Sequence, residues 1–417
     1  MLNLFFRHVS SCPHLPKPDF DFTYICEAKN RDEIAENIKR RKSTGDIDLI
    51  LRLYEKLKGP VDSKQDIEEE LMGAVSKIPN RSHPDILKLN EEPDTVNIIG
   101  EKRKFTFKPL NFQEISKRLN LARTDGLTNL TGPRSYFLMD DLARLEHALI
   151  DYSVRSLLQK CFQLVSVPDI LDRGIIEGCG MDTRGERNQV YSLDTDHGND
   201  LCLSGTAEMG IARLLMNQKF SSSELPARFA AVSRCYRAET SKVSEEKGLY
   251  RVHQFTKVEM FGVCKPADSD RLLEELTCLQ EENFSRLGLH IRTLDMPPCE
   301  LGQPAYRKFD VEGYMAGRGG RWGELSSASN CTDFQSRRLN ITSEDGNYLH
   351  TVNGTCCAIP RMLIAIFETH QRNDGSVQVP PPLVPFMGID VIGYNRMPTI
   401  RPYKQRLESS NSFNKQT

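Results

Sequence analysis

Arg237 and Glu239 stand two residues apart in the run SRCYRAET (233–240), and a second run, GLYRVHQFTKVEMF (248–261), follows a short polar loop. Side chains on an extended chain alternate between faces, so Arg237 and Glu239 project the same way. So do Arg251, His253, Phe255, Lys257 and Glu259 on the returning run. A guanidinium clamps phosphate bidentately, a carboxylate accepts from the adenine amino group, and an aromatic ring stacks on a base. The two runs therefore suit a nucleotide, with Glu259 free to take an ammonium group. Taken alone, they equally describe a solvent-facing hairpin laced by Arg/Glu and Lys/Glu ion pairs.

A second segment, LHTVNGTCCAIPRMLIAIFETHQ (349–371), reads as a strand running into a helix opened by Pro360. That leaves Arg361 in the first helical turn, where the helix dipole disfavours a cation. An anionic ligand, phosphate above all, resolves the conflict, and so does a nearby core carboxylate. Two further runs, LSGTAEMG (203–210) and GELSSASNCTDFQSRR (323–338), set Thr206 by Glu208 and Glu324 by Ser326. Carboxylates beside hydroxyls bind a small zwitterion or hold Mg²⁺ near phosphates. Either pair is also what a helix N-cap looks like.

These residues need a frame. Short β-rich runs (FQLVSVP, ARFAAVSRCYRA, YRVHQFTKVEMFGV, RKFDVEGYM, GELSSASNC) alternate with helices expected over 141–160 and 269–287. Neighbouring runs joined by short polar loops predict an antiparallel sheet rather than a βαβ series. Ahead of them lies a helical hairpin within 29–80: Ile50, Leu53, Tyr54 and Leu57 form one apolar stripe, Gly59-Pro60 stops it, and Ile67, Leu71, Val75 and Ile78 form another. Lys39, Arg40, Arg41 and Lys42 make a basic run, either a solvated helix face or a nucleic-acid contact. Residues 81–130 read as a polar connector, 131–392 as the main domain, and 393–417 as a polar, disordered tail.

Lys+Arg 55 against Asp+Glu 57 gives a net charge of -2, which excludes binding nucleic acid by bulk positive charge. No apolar run approaches the ~20 residues of a membrane helix, so no membrane partner is expected. The 12 cysteines contain no Cys-x-x-Cys pair; they are expected to be reduced, and no zinc site is expected. Residues 1–25 carry Arg7, His8 and Lys17, serines and no acid before Asp19, the character of a mitochondrial targeting segment.

Taken together, the runs resemble the class II aminoacyl-tRNA synthetases, most nearly the mitochondrial seryl-tRNA synthetases. Arg237-x-Glu239 with Gly248 to Glu259 resembles motif 2, and Asn353-Gly354-Thr355 followed by Arg361 resembles motif 3. Thr206-Ala207-Glu208 and Glu324-Leu325-Ser326-Ser327 resemble two seryl signatures, and Pro168 the motif 1 proline of the dimer interface. The resemblance implies an α+β fold: an antiparallel sheet flanked by helices, preceded by the short α-helical hairpin. It implies activation of L-serine with ATP and Mg²⁺ to seryl-adenylate, and transfer to tRNA(Ser) in the mitochondrial matrix. ATP would fall to Arg237, Ala238, Glu239, Phe255, Glu324 to Ser327 and Arg361, with Glu324 at Mg²⁺. Serine would fall to Thr206, Ala207, Glu208, Glu259, Asn353 and Thr355. A homodimer is implied, with a heterodimer to a synthetase-like subunit as the variant form.

The chain departs from that family in four places. Thr355 stands where many relatives have serine, and Pro360 where many have glycine. The loop 241–247 lacks the usual wording for contacts to the tRNA acceptor end. The helical arm is short: a 12-residue helix reaches about 18 Å, too little to grip a long variable arm. The alternative function is therefore a synthetase-like RNA-binding or regulatory subunit that no longer activates serine. An enzyme for a different amino acid is disfavoured, because Thr206, Glu208 and Glu259 suit a small hydroxylated amino acid.

Overall fold

The computed structural model describes residues 15–60, 63–124, 134–185, 188–194, 196, 200–239 and 248–396. Residues 1–14 of the expected targeting segment, the loop 241–247 and the tail beyond residue 396 lie outside the described residues. No helix is long and apolar enough to cross a membrane among those described.

The N-terminal unit has three longer helices: α1 (Arg31–Arg40), α2 (Ile47–Lys58) and α3 (Lys64–Val75). The hairpin expected around Gly59-Pro60 is α2 and α3, and α1 packs against it as a third member. Asp46 starts α2 by accepting a hydrogen bond from the Leu49 amide at 3.0 Å. Gly59 ends it. Ile34, Ile38, Ile50, Leu53, Leu71 and Val75 meet in a small core of their own. At 12 residues each, α2 and α3 remain short.

One eight-stranded sheet forms the main domain. Its strands are β1 (Asp94–Ile99), β2 (Gln163–Val165), β3 (Ala227–Tyr236), β4 (Gln254–Cys264), β5 (Ile291–Asp295), β6 (Arg307–Met315), β7 (Arg321–Thr332) and β8 (His350–Ala358). Their spatial order is β1-β5-β6-β7-β8-β4-β3-β2. Neighbours are antiparallel except β2, which runs parallel to β3 at the edge. The stretch 81–130 is therefore more than a connector, since β1 lies within it and closes the other edge against β5.

Helices α4 (Asp141–Gln159), α6 (Ser269–Arg286) and α7 (Ile359–His370) cover the sheet. Leu142, Leu145 and Leu149 from α4, Leu272 and Leu276 from α6, and Leu363 and Ile366 from α7 join one continuous apolar cluster. Between α4 and α6 in sequence lies α5 (Ala207–Leu215). The chain is anchored further than the expected start of the tail. Asn395 is buried, its amide donates to the Leu119 carbonyl at 2.9 Å, and its side chain donates to the Asn120 carbonyl at 3.1 Å.

Candidate active site

The runs read as a hairpin, β3 and β4, are central strands and not a solvent-facing ribbon. β4 lies between β8 and β3, and from Thr256 to Cys264 it is buried throughout. Sheet register brings Glu259 opposite Thr355 of β8, and places Ser329 of β7 beside Asn353 of β8. A cavity of about 550 Å³ opens over this part of the sheet. Thr206, Glu208, Arg237, Glu239, Phe255, Glu259, the run Glu324 to Ser327, Asn353, Thr355 and Arg361 all line it. Three residues of the sequence reading do not. Ala207 and Ala238 flank cavity residues without lining it, and Pro168 is exposed between β2 and the next short strand.

One end of the cavity is acidic. Thr206 caps α5, accepting from the Glu208 amide at 3.4 Å, so its N-cap role is real. The same hydroxyl also donates to Glu259 at 3.3 Å and receives the Lys257 ammonium at 2.7 Å. Lys257 pairs directly with Glu259. Glu208 accepts from Gln335 at 2.5 Å and from Asn353 at 2.7 Å. Burial, with the Glu259 charge adding to it, pushes the Glu208 carboxyl up to about 7. Two carboxyl groups and a hydroxyl around one space match the ammonium and hydroxyl of a small amino acid.

The other end is cationic and aromatic. Arg361 sits in the first turn of α7, as Pro360 dictates, and pairs with the Glu324 carboxylate at 3.0 Å. Both explanations of that arginine hold together: a carboxylate answers its charge, and both groups face the cavity. Burial opposes ionisation of Glu324, but Arg361, Lys308 and Arg237 outweigh it and hold the carboxyl below its usual range. Arg237 lies over the Phe255 ring at 5.4 Å, and Arg361 over the Tyr250 ring at 4.9 Å. Glu239 pairs with Arg251 at 3.1 Å and holds a left-handed backbone, φ 46°, that a non-glycine residue adopts at a cost of roughly 1–3 kcal/mol. The Ser326 hydroxyl is buried with no partner among the described residues, a polar group left over at the cavity wall.

No cluster of three or more His, Cys, Asp and Glu side chains with metal-site geometry occurs among the described residues. Mg²⁺ does not require one, since it is commonly held by one or two carboxylates together with substrate phosphates. The ionised Glu324 side chain, 41% exposed, has the oxygen chemistry for that part.

Several residues of the site escaped assignment from the sequence: Lys257 and Lys308, which line the cavity, and Gln335, which holds Glu208 from behind it. Lys257 shares the β4 face with Phe255 and Glu259, and that alternation was the available signal. Lys308 and Gln335 had none. The first reaches the site by β6–β7 register opposite Ser329, the second by a helix that follows β7.

Comparisons with known proteins identify the family. A family model described as the tRNA synthetase class II core domain (G, H, P, S and T) matches residues 191–370. The mitochondrial serine–tRNA ligase of Mus musculus is 46% identical over 333 residues, covering 78% of this chain. The chain spans 64% of the length of that relative. The serine–tRNA ligase of Treponema denticola is 38% identical over 377 residues, covering 88% of this chain and 89% of that protein. Among solved structures, seryl-tRNA synthetase from Pyrococcus horikoshii complexed with ATP has a TM-score of 0.75 at 28% identity, covering 88% of each chain. With such identity across nearly the full length of the Treponema protein, the chain belongs to the serine–tRNA ligase family of class II aminoacyl-tRNA synthetases.

Proposed function

We propose that the chain activates L-serine with ATP and transfers it to tRNA(Ser) in the mitochondrial matrix. The observation that carries this reading is the two-ended cavity, acidic around Glu208 and Glu259 and cationic around Arg237 and Arg361. Serine fits the acidic end, its ammonium between Glu208 and Glu259 and its hydroxyl near Thr206, with Asn353 and Thr355 alongside. ATP fits the other end. Phe255 stacks on the adenine and Glu239 accepts from its amino group, releasing Arg251; Arg237 takes the α-phosphate and Arg361 the γ-phosphate.

A serine carboxylate oxygen then attacks the α-phosphorus in line. The new P–O bond forms as the bond to the β-phosphate oxygen breaks, and pyrophosphate leaves. Arg237 neutralises charge at the α-phosphate, while Arg361 is drawn from Glu324 to the phosphates. Mg²⁺, when bound at Glu324, adds charge neutralisation on the phosphate oxygens. In the second step a terminal ribose hydroxyl of the tRNA attacks the acyl carbon, its proton passes to a phosphate oxygen of the adenylate, the acyl C–O bond to the phosphate breaks, and AMP leaves. Holding both substrates in place with their charge neutralised supplies the acceleration, so no side-chain nucleophile is needed.

We place the partner subunit of a homodimer at the surface around Pro168, where Leu158, Leu164 and Ile170 expose 48%, 47% and 50% of their area. A synthetase-like subunit seated there would make the heterodimeric form instead.

The test is serine-dependent ATP–pyrophosphate exchange by the purified chain, with threonine and alanine as controls. Exchange with serine is expected, and Arg361→Ala is expected to lower it by roughly 10²–10³, the scale of losing one charge-stabilising group. A folded chain without exchange would overturn the reading in favour of a non-catalytic RNA-binding or regulatory subunit.

A further inference from the structure

The basic run 39–42 has no part in the chemistry above, and its members do not form one solvated face. Arg40 pairs with Glu36 at 2.9 Å and Lys42 with Glu91 at 3.4 Å. Arg41, at the C-terminal cap of α1, turns inward and is 6% exposed. Its guanidinium donates to main-chain oxygens at four positions: Gly302 at 2.5 Å, Ala305 at 3.0 Å, Asn80 at 3.1 Å and Gln303 at 3.3 Å. No carboxylate pairs with it among the described residues, and burial draws its pKa down to about 10.

Asn80, just past the helical unit, grips the same segment. Its amide donates to the Gln303 carbonyl at 2.9 Å, and its side chain to the carbonyls of Pro304 at 2.8 Å and Cys331 at 2.9 Å. Gly302 to Ala305 and Cys331 are cavity lining. They border the acidic end, because Cys331 Sγ lies 3.6 Å from the Asn353 amide nitrogen that also holds Glu208. On the opposite side Pro304 closes on Gly180, where a Cβ would come within 2.8 Å of its Cδ and the backbone φ is +91°.

From this arrangement we infer that Arg41, seconded by Asn80, is a positioning residue that fixes the 302–305 wall of the amino-acid end of the cavity. The N-terminal helical unit thereby helps set the fit of the bound amino acid, in addition to any contact it makes with RNA. A planar fork of five donors reaches oxygens spread along a loop. An ammonium concentrates three donors at one point, so lysine cannot substitute. The kinetic side of the inference rests on the serine-activating reading; the structural side does not.

The experiment compares the full chain with Arg41→Lys and Arg41→Ala. Melting temperature and circular dichroism identify the folded variants, and Arg41→Lys decides should Arg41→Ala fail to fold. Exchange kinetics are measured against serine and ATP separately, and deuterium uptake is followed in peptides covering 298–306. The expected result is a rise of about 10-fold in KM for serine, with KM for ATP and kcat at saturating serine little changed, as displacement of a binding wall implies. Uptake in 298–306 should quicken while that in α2 does not. A folded Arg41→Lys chain with unchanged KM for serine, or with both KM values raised alike, would overturn the inference. A wild-type chain without serine-dependent exchange would sink the functional reading alone; the uptake then decides, and unchanged protection of 298–306 would overturn the wall.

Discussion

Glu208 sits where its charge matters most and is hardest to keep. Its carboxyl titrates at about 7, so near neutrality a large share of the ligand-free chain carries it protonated and unable to pair with an ammonium. Serine binding should therefore weaken as the pH falls through about 7, read as a rising KM for serine in exchange assays. Glu208→Gln should abolish that dependence as well as weaken binding. The sign for stability is opposite. A carboxyl raised above its ordinary 4.5 favours the fold fully below that value, and the contribution disappears as pH rises through about 7. Ligand-free chain should thus gain stability from this group on mild acidification, and serine should reverse the trend at pH 8, measurable by thermal melts with and without serine.

At the scale of elements, the site depends on how closely helices approach the sheet. Gly262 lies near the C-terminal end of β4, three residues from Glu259, and a Cβ there would fall 2.6 Å from Leu272 Cδ2 of α6. Gly262→Ala should force the buried Leu272 side chain of α6 to give way at a cost of about 1–3 kcal/mol, seen in chemical denaturation. The N-terminal unit tests a local rule instead. Asp46→Ala removes the side-chain acceptor that starts α2 and should cost about 1 kcal/mol there. Hydrogen exchange within α2 would register it, with the catalytic sheet unaffected.

For the whole molecule, two surfaces remain to be matched with partners. On the proposed dimer surface, where Leu164 and Ile170 are exposed on either side of Pro168 in the sequence, Leu164→Glu should shift that dimer to monomer in light scattering. The other surface is the short helical arm, proposed to contact tRNA. With α2 and α3 at 12 residues each, grafting a full-length helical arm should raise affinity for tRNA(Ser), measured by filter binding. No gain would place the grip elsewhere. Arg396, the remaining basic residues of the tail and the second subunit are the sites to examine next.

The residue types and spacings alone carried the proposed chemistry. Arg237 with Glu239, Thr206 with Glu208, and the arginine after Pro360 are each written within a few positions, and each belongs to a local pattern of alternation, capping or helix opening. The antiparallel sheet was legible for the same reason, since a two-residue period is a local property. What tertiary structure alone decided is everything set by register between distant strands. Lys308 reaches the cavity across β6 and β7, Gln335 reaches Glu208 from a helix 127 residues away, and strand β1 enters the sheet from a stretch that reads as connector. Arg41 is the sharpest case. Four basic residues in a row read as a solvated face, but the turn after α1 directs one of them inward to carbonyl oxygens more than 260 residues away. Main-chain acceptors carry no side-chain identity, so no sequence pattern could have announced that contact.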